Sequence, residues 1–374
     1  MKKYLIIFLL IFSIFINKEL VYSQELIQDK IEILTARVVK IEKQQIKDIL
    51  GTDVEVIHQT LLVEILEGKE KGREVKVEND YLQLKEGEKF YLYKSIDAMD
   101  GREMFSVKDV YRLDSLLWFI GLFIFAIILF SGKQGIRSIL SLAGSFLVIM
   151  YILIPLLLKG YPPVLTSILI AAAILFIAIF FTHGFNKQSS VAFSGTVVAV
   201  ILTGLLAYLG VKMASLSGLA SEEAIFLNFN TRGTLDLSGL LLGGVMIGIL
   251  GVLDDIAITQ AAIVSEIYNS APHLSRLEVY KRSLRVGREH VGALVNTLAL
   301  AYTGAALPIL LLFSTSSLPF ATIVNQEIFA TEIIRTIVGS IGLVLTVPIT
   351  TLLAVYFLKG YKGKHHGHSH SHSH

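Results

Sequence analysis

The chain has 374 residues, of which 53% are hydrophobic and 17% charged, and its mean hydropathy is +0.64. A soluble chain of this length would carry more surface charge, so the apolar excess predicts segments that face lipid. The net charge of +2 argues against a nucleic-acid partner, and the absence of cysteine excludes disulfides, thiolate catalysis and cysteine-ligated metal centres. We predict no cofactor.

Residues 1–23 have the pattern of an export signal. Lys2 and Lys3 form a positive start, residues 4–16 are an apolar run too short to span a membrane, and Ser23 is a small residue suited to a cleavage site. The alternative is an uncleaved N-terminal anchor, because charged and aromatic residues stand close to the cut. In either case the following segment is predicted to lie outside the cytoplasm.

Residues 24–114 predict a small all-β domain, because apolar and polar residues alternate there in short stretches between glycines. An Asp-Gly pair at Asp100 and Gly101 is a hairpin signal. We expect a compact barrel, resembling an OB-fold, or a β-sandwich. The predicted strand segments are 54–57, 61–65, 74–77 and 89–93.

Residues 115–358 predict an α-helical transmembrane domain of about seven helices, followed by a tail at 359–374. Most of the apolar runs approach the length that crosses a bilayer. The run that begins at Ser238 is longer, so it must tilt, project into water or be interrupted. The predicted spans are 116–131, 136–158, 163–182, 190–212, 238–267, 290–313 and 333–358.

The distribution of positive charge predicts the orientation of these spans. With the β domain outside, the loops on the inner side carry eleven lysines and arginines, and the outer loops between spans carry three. Positive residues concentrate on the cytoplasmic side of membrane proteins. We therefore predict a multi-pass protein of the bacterial inner or plasma membrane with a cytoplasmic C-terminus.

The largest inner loop, about 269–289, predicts a short amphipathic helix. Ser275 and Glu278 have capping-box spacing, and Leu274, Leu277, Tyr280 and Leu284 recur at helical intervals among basic residues. Such a helix is expected to lie on the lipid headgroups, so membrane lipids are predicted partners. Docking of a protein partner is the alternative.

Two adjacent acids, Asp254 and Asp255, stand inside an otherwise apolar span. A carboxylate at membrane depth costs at least about 2.5 kcal/mol, so it needs a partner, water or a proton. At about 100° per residue, Asp255 shares a face with several glycines and Thr259, whereas Asp254 points about a third of a turn away. We predict that this face borders a solute or ion pathway; a structural carboxylate is the alternative.

The sixth and seventh spans carry similar polar stripes. Asn296 and Thr303 share one face of the sixth span, and Thr346 lies on the stripe of the seventh. Such stripes also occur in ordinary helix packing. Because three successive spans have them, we expect the three to close around one polar cavity beside Asp255. Pro308 and Pro348 are expected to kink their helices.

Glu332 and Arg335, near the outer end of the seventh span, have the spacing of an intrahelical ion pair. They are predicted to be either a structural pair or an outer gate. The first four spans have no charged residue in mid-span and are predicted to be scaffold.

The tail holds candidate ligands for zinc, nickel or copper at His365, His366, His368 and His370. An expression tag explains the same pattern, and both interpretations stay open.

The segments GVLDDIAITQAAIVSEI, VGREHVGALVNTLALAYTGAALPILLLF and IIRTIVGSIGLVLTVPITTLLAVYF resemble the YibE/F family of bacterial membrane proteins. The resemblance covers most of the chain. It implies an integral membrane protein with an exported β domain and about seven or eight spans, and it directs attention to Asp254, Asp255, Asn296 and the threonines. It names no substrate, and a histidine-rich tail is not a feature associated with the family.

Three functions follow from these patterns. Transport of an ion or small solute is the first, with Asp255 binding a cation or taking up a proton. An intramembrane aspartyl protease is disfavoured, because adjacent acids on one helix diverge and no other span has an aspartate in its middle. A non-transporting binding or signalling module that uses the exported β domain is the remaining alternative. No Walker A motif is present, and the oligomeric state is open.

Overall fold

The computed structural model describes residues 30–48, 55–80, 82–97 and 101–360. The predicted signal segment and the histidine-rich tail therefore lie outside the described residues. The chain divides into two units, one that ends at Ala126 and one that begins at Ile127.

The first unit contains a closed five-stranded barrel with the strand order β1-β2-β3-β5-β4. All neighbouring strands pair antiparallel except β3 and β5, which are parallel. This confirms the predicted barrel, whose five-stranded Greek-key arrangement is OB-like, rather than a sandwich. The strands are β1 (Lys30–Asp48), β2 (Glu55–Ile65), β3 (Glu74–Asn79), β4 (Lys89–Ile96) and β5 (Glu103–Val110).

Alternating side chains build the barrel interior. Along β3, exposed and buried residues alternate at every position, which places Val75 and Val77 inside. They pack with Phe90, Leu92 and Leu61, all fully or almost fully buried. Residues 55–57 of one predicted strand segment and 61–65 of the next belong to the single strand β2.

An ion cluster around the buried Lys94 joins β4 and β5 to the loop after β2. The Lys94 side chain is only 3% exposed, and its ammonium group contacts the carboxylates of Glu70 and Glu103, the latter at 2.6 Å. Arg73 binds both carboxylates as well. Hydrogen bonding to Glu103 raises the pKa of Lys94, and hydrogen bonding to Lys94 lowers the pKa of Glu103.

The second half of the chain is helical. A long helix α1 (Leu113–Val148) continues through a π-helical turn (Ile149–Leu153) into α2 (Ile154–Leu158). The remaining helices are α3 (Pro163–His183), α4 (Lys187–Met213), α5 (Glu222–Asn230), α6 (Leu237–Ser270), α7 (Arg276–Ala305), α8 (Leu307–Ser314), α9 (Phe320–Val324) and α10 (Glu327–Phe357).

Helix α1 contains a sharp turn at Gly132, whose backbone has φ 52° and ψ −130°. A Cβ on Gly135 would lie 2.6 Å from the carbonyl oxygen of Ile127. In a straight helix, residues eight positions apart are separated by about 12 Å along the axis, so the chain doubles back here. Glycine suits position 132, because a left-handed φ strains other residues.

Five helical segments in the described chain are long and apolar enough to cross a membrane, or six if the bent pair α7–α8 is one span. Seven spans were predicted. The difference lies mainly in the predicted spans 116–131 and 136–158, which are counted together as one 46-residue segment although the chain doubles back between them at Gly132. The bend of 62° between α7 and α8 precedes Pro308, as predicted, whereas Pro348 lies inside an uninterrupted α10.

Close contacts between small residues hold α4 against α10. A Cβ on Gly342 would lie 2.9 Å from Cγ2 of Thr203, and one on Gly195 would lie 3.1 Å from Cα of Thr350. Thr203 and Thr350 are fully buried. Small residues let helix backbones approach in this way. Helix α6 packs against both helices of this pair.

The predicted amphipathic segment is not a separate helix: it forms the first half of α7 and continues into the sixth span. The capping box of Ser275 and Glu278 is present. Leu274 and Val279 are buried in a protein core, whereas Leu277 is 62% exposed. Part of the face that was expected to contact lipid is therefore covered by the bundle.

Candidate functional site: an acid-lined cavity

The two aspartates lie in the middle of α6, a helix of 34 residues that is capped at its start by Asp236. Asp255 is exposed and Asp254 is half-buried, while the neighbouring Leu253 and Ile256 are buried. Gly251, one turn before Asp255, has no atom within 4 Å of where its Cβ would be. The helix thus turns its acid and glycine face toward open space and its aliphatic residues toward the core.

Both carboxylate side chains line one cavity of about 400 Å³. Helix α6 forms one wall with Gly251, Asp254 and Asp255, and α3 forms another with Thr182 and His183. The third wall is the part of α1 after the Gly132 turn, together with the start of the π-helical turn. A cavity of this size and polarity has room for several water molecules.

The depth of the acids follows from the register of α3 and α6, which run in the same direction. Cβ of Pro163 lies 3.1 Å from the place that a Cβ on Gly239 would take. Cβ of Ser167 lies 3.3 Å from the place that a Cβ on Gly243 would take. The same offset places Asp255 level with Ile179. This level is four residues, or about 6 Å, from the end of α3 at His183. The acids are therefore nearer one end of α3 than its middle.

Three serines of α1 were not recognised from the sequence as site residues. Ser138, Ser141 and Ser145 line the cavity, so the second predicted span contributes to its wall. Their spacing of three and four residues puts them on one helix face, a signal that could have found them. The hydroxyls of Ser138 and Ser145 donate to backbone carbonyls one turn earlier, at 3.2 and 3.0 Å. Their oxygen lone pairs remain able to accept.

The cavity lining contains two acidic side chains and no lysine or arginine that would balance their charge. Across the part of the chain that the structure describes, neither aspartate forms an ion pair. His183 is the other titratable residue in the lining. Carboxylate and hydroxyl oxygens together are a donor set suited to hard cations, to protonated amines or to a proton.

Other predicted pathway residues lie elsewhere. Thr259 lines a second cavity, beyond Asp255 on α6. Asn296 and Thr303 are exposed on α7 and line neither of these two cavities. Thr346 is fully buried, and its hydroxyl donates to the Gly342 carbonyl at 2.9 Å, which is a packing role. The three polar stripes thus do not close around one cavity.

The predicted pair of Glu332 and Arg335 forms, with Oε1 and Nη1 separated by 2.9 Å. Arg335 also lies 6.0 Å from the ring of Tyr302, and the Tyr302 hydroxyl is 3.1 Å from the Cβ position of Gly248. Tyr302, next to the predicted Thr303, is thus the α7 residue that reaches the glycine face of α6.

Within the described ranges no group of three or more histidine, cysteine, aspartate or glutamate residues could hold a metal ion, so a metal site there would also need amide, hydroxyl or water ligands. The four tail histidines lie outside those ranges.

Neither a curated protein nor a solved structure matches this chain. The family model described as YibE/F-like protein matches residues 119–360, which is more than half of the chain and includes all walls of the acid-lined cavity. The match agrees with the apolar helices in indicating a multi-pass membrane protein, and the chain belongs to the YibE/F-like family.

Proposed function

We propose that this protein transports a cation, or a small solute that carries a positive charge, across the bacterial cell membrane. The observation that carries the proposal is a single cavity in which two carboxylates without ion pairs face serine and threonine hydroxyls. Keeping unpaired acids among apolar helices is costly, so a structural role alone is a poor explanation for them.

In this proposal, Asp255 and Asp254 attract and bind the cation, or exchange a proton for it. The serine oxygens of α1 replace part of the hydration shell of the ion. A protonated amine would be bound by the same atoms, because each of them accepts hydrogen bonds.

The proposed topology has the barrel outside and the C-terminus in the cytoplasm, on the strength of the positive charges near the inner ends of the helices. The His183 end of the cavity is then the cytoplasmic end. Toward the other end of α6, Leu242, Val245 and Met246 are buried in aliphatic packing. The proposal is therefore that cations enter this cavity from the cytoplasmic side.

Reconstituted liposomes provide the test. Purified protein is inserted into vesicles, and the fluxes of protons, monovalent cations, divalent cations and small amines are measured with fluorescent reporters. We expect Asp255→Asn to reduce the active flux at least about tenfold, since it removes a charge from the proposed path.

Glu266→Gln is the matched control, because Glu266 is an exposed acid on the same helix that lines neither cavity. Its flux should equal that of the unaltered protein. Equal flux in the Asp255→Asn variant would contradict the assignment of the site. Absence of flux for every solute would instead favour a non-transporting module built on the barrel.

A further inference from the structure

A second cavity, of about 360 Å³, lies between α6, α7 and α10. Its polar lining consists of Thr259 and Gln260 from α6 and of Glu289 and His290 from α7. It contains no lysine or arginine. Its lining shares no residue with that of the acid-lined cavity, so the two spaces are separate sites.

Gln260 gives this cavity a fixed acceptor. The residue is 2% exposed, and its Nε2 donates to the Ser283 carbonyl at 2.9 Å and to the Thr351 hydroxyl at 2.7 Å. These two bonds hold the amide group in one orientation. Its Oε1 accepts no hydrogen bond from the described residues and lies 2.8 Å from the Cβ position of Gly287, which lines the same cavity. The residue is buried, but this oxygen opens into the cavity, where water or a ligand can reach it.

Thr259 supplies a second free oxygen. The hydroxyls of Thr196, Thr203 and Thr346 each donate to a backbone carbonyl one turn earlier in their own helices. Among the described residues the Thr259 hydroxyl has no such bond. It is therefore available to a molecule in the cavity.

Glu289 adds the charge. Arg285 lies one helical turn before Glu289 on α7, yet within the described chain the Glu289 carboxylate forms no ion pair with it. His290, the next residue, lines the same cavity, and both residues are exposed on α7. Neither Arg285 nor Arg288 contributes to the lining.

We propose that this cavity binds a partly hydrated divalent cation. Glu289, Gln260 and Thr259 supply oxygen ligands, His290 supplies a nitrogen, and water completes the coordination shell. Mg²⁺-like ions are commonly held by only one or two carboxylates with retained water, and Mn²⁺ accepts the same ligands together with imidazole. The bound ion links α6 to α7 beside the helix that carries Asp255. This site does not depend on the proposed transport.

The test is binding of Mn²⁺ to the purified full-length protein, followed by the electron paramagnetic resonance signal of the free ion. All variants are made in the double variant Asp254→Asn, Asp255→Asn, which is called the background protein, so that the acid-lined cavity does not contribute to binding. Glu289→Gln removes the proposed charged ligand, and Arg288→Gln is a matched control because it changes the neighbouring residue, which is outside the lining. Thr259→Val removes the hydroxyl at nearly constant shape.

We expect one Mn²⁺ site in the background protein and in the Arg288→Gln variant, in addition to any binding by the tail histidines, which all the variants share. In Glu289→Gln the Kd should rise at least about tenfold, with a smaller rise in Thr259→Val. Mn²⁺ should raise the Tm of the background protein and have less effect in Glu289→Gln, because only the folded state binds the ion. A Tm without Mn²⁺ that equals that of the background shows that each variant folds.

Equal Mn²⁺ affinity in Glu289→Gln and Arg288→Gln would overturn the proposal. So would loss of all Mn²⁺ binding in the background protein, since the ion would then belong to the acid-lined cavity alone. Neither result depends on whether the protein transports anything.

Discussion

The contact between α4 and α10 predicts a strong effect of a single methyl group. In Gly342→Ala, the new Cβ would lie 2.9 Å from Cγ2 and 3.1 Å from Cβ of Thr203, and closer still to its hydroxyl oxygen. Thr203 is fully buried and its hydroxyl is bonded to the Ala199 carbonyl at 2.7 Å. The side chain therefore has little freedom to move aside, and the helices must separate.

Overpacking of this kind costs about 1–3 kcal/mol. Replacing glycine by alanine inside a helix also stabilises the helix by about 1 kcal/mol, which opposes the steric cost, so a matched control is needed. Gly251→Ala is that control, because its Cβ meets no atom within 4 Å. The difference between the two variants isolates the steric cost, which corresponds to roughly 2–12 °C in Tm for a unit of this size.

The measurement is thermal unfolding in detergent, followed by circular dichroism at 222 nm. Gly342→Ala should unfold at a lower temperature than Gly251→Ala. Adding Thr203→Ala should recover part of the loss, because it removes the two closest atoms; the pair should therefore be non-additive. Equal Tm values for the two alanine variants would refute the close packing of α4 and α10.

Three further predictions concern charge and capping. Because the pKa of Glu103 is below its ordinary 4.5, its contribution to barrel stability is present above that pH and is lost as the pH falls through the lower folded value. The pKa of Lys94 is raised above 10.5, so its contribution is complete below that pH and is lost as the pH rises through the folded value. Hydrogen exchange of β4 and β5 in the full chain, corrected for intrinsic rates, should show barrel stability falling at low pH and again at high pH. In Lys94→Met both losses of stability should be smaller, and a pH profile equal to that of the unaltered protein would contradict the cluster. Ser275→Ala breaks the capping box with Glu278 and should cost about 0.5–2 kcal/mol, seen as faster exchange in the first turn of α7, whereas unchanged exchange there would argue against the cap. Glu327→Gln should loosen the loop after α4, because the Glu327 carboxylate accepts hydrogen bonds from the backbone N–H groups of Ser217 and Gly218 there, at 2.7 and 2.8 Å. The protection of that loop from hydrogen exchange should fall, and retained protection would contradict this contact.

The barrel was largely predictable because alternation along a strand reports which side chains face inward. Strand β3 has the complete pattern. Strand β1 was missed although it is the longest. Its buried face includes Ala36 and Val38, but register shifts after Val38 and after Ile41 break the alternation, and apolar residues such as Ile33 and Ile46 are exposed. A strand whose alternation is broken has no continuous hydrophobic period to detect.

The acids were predictable, but their surroundings were not. A carboxylate in an apolar helix is conspicuous in any sequence, since it is costly there. The serines of α1 are small polar residues that occur in ordinary helices, and only the turn at Gly132 brings them opposite Asp255. Thr346 has the same chemistry as Thr259, yet it bonds within its own helix and is buried. Helical periodicity places residues on a face; the packing of neighbours decides what that face meets.

The central claim is that ions reach the acid face of α6 from the cytoplasmic side. Because the chain has no cysteine, single cysteines can be introduced without removing others. Gly251→Cys points into the acid-lined cavity, and Ser167→Cys is a control at a site only 1% exposed. In inside-out vesicles, a charged thiol reagent should label the first cysteine and not the second. Labelling of Gly251→Cys only after denaturation would contradict the claim.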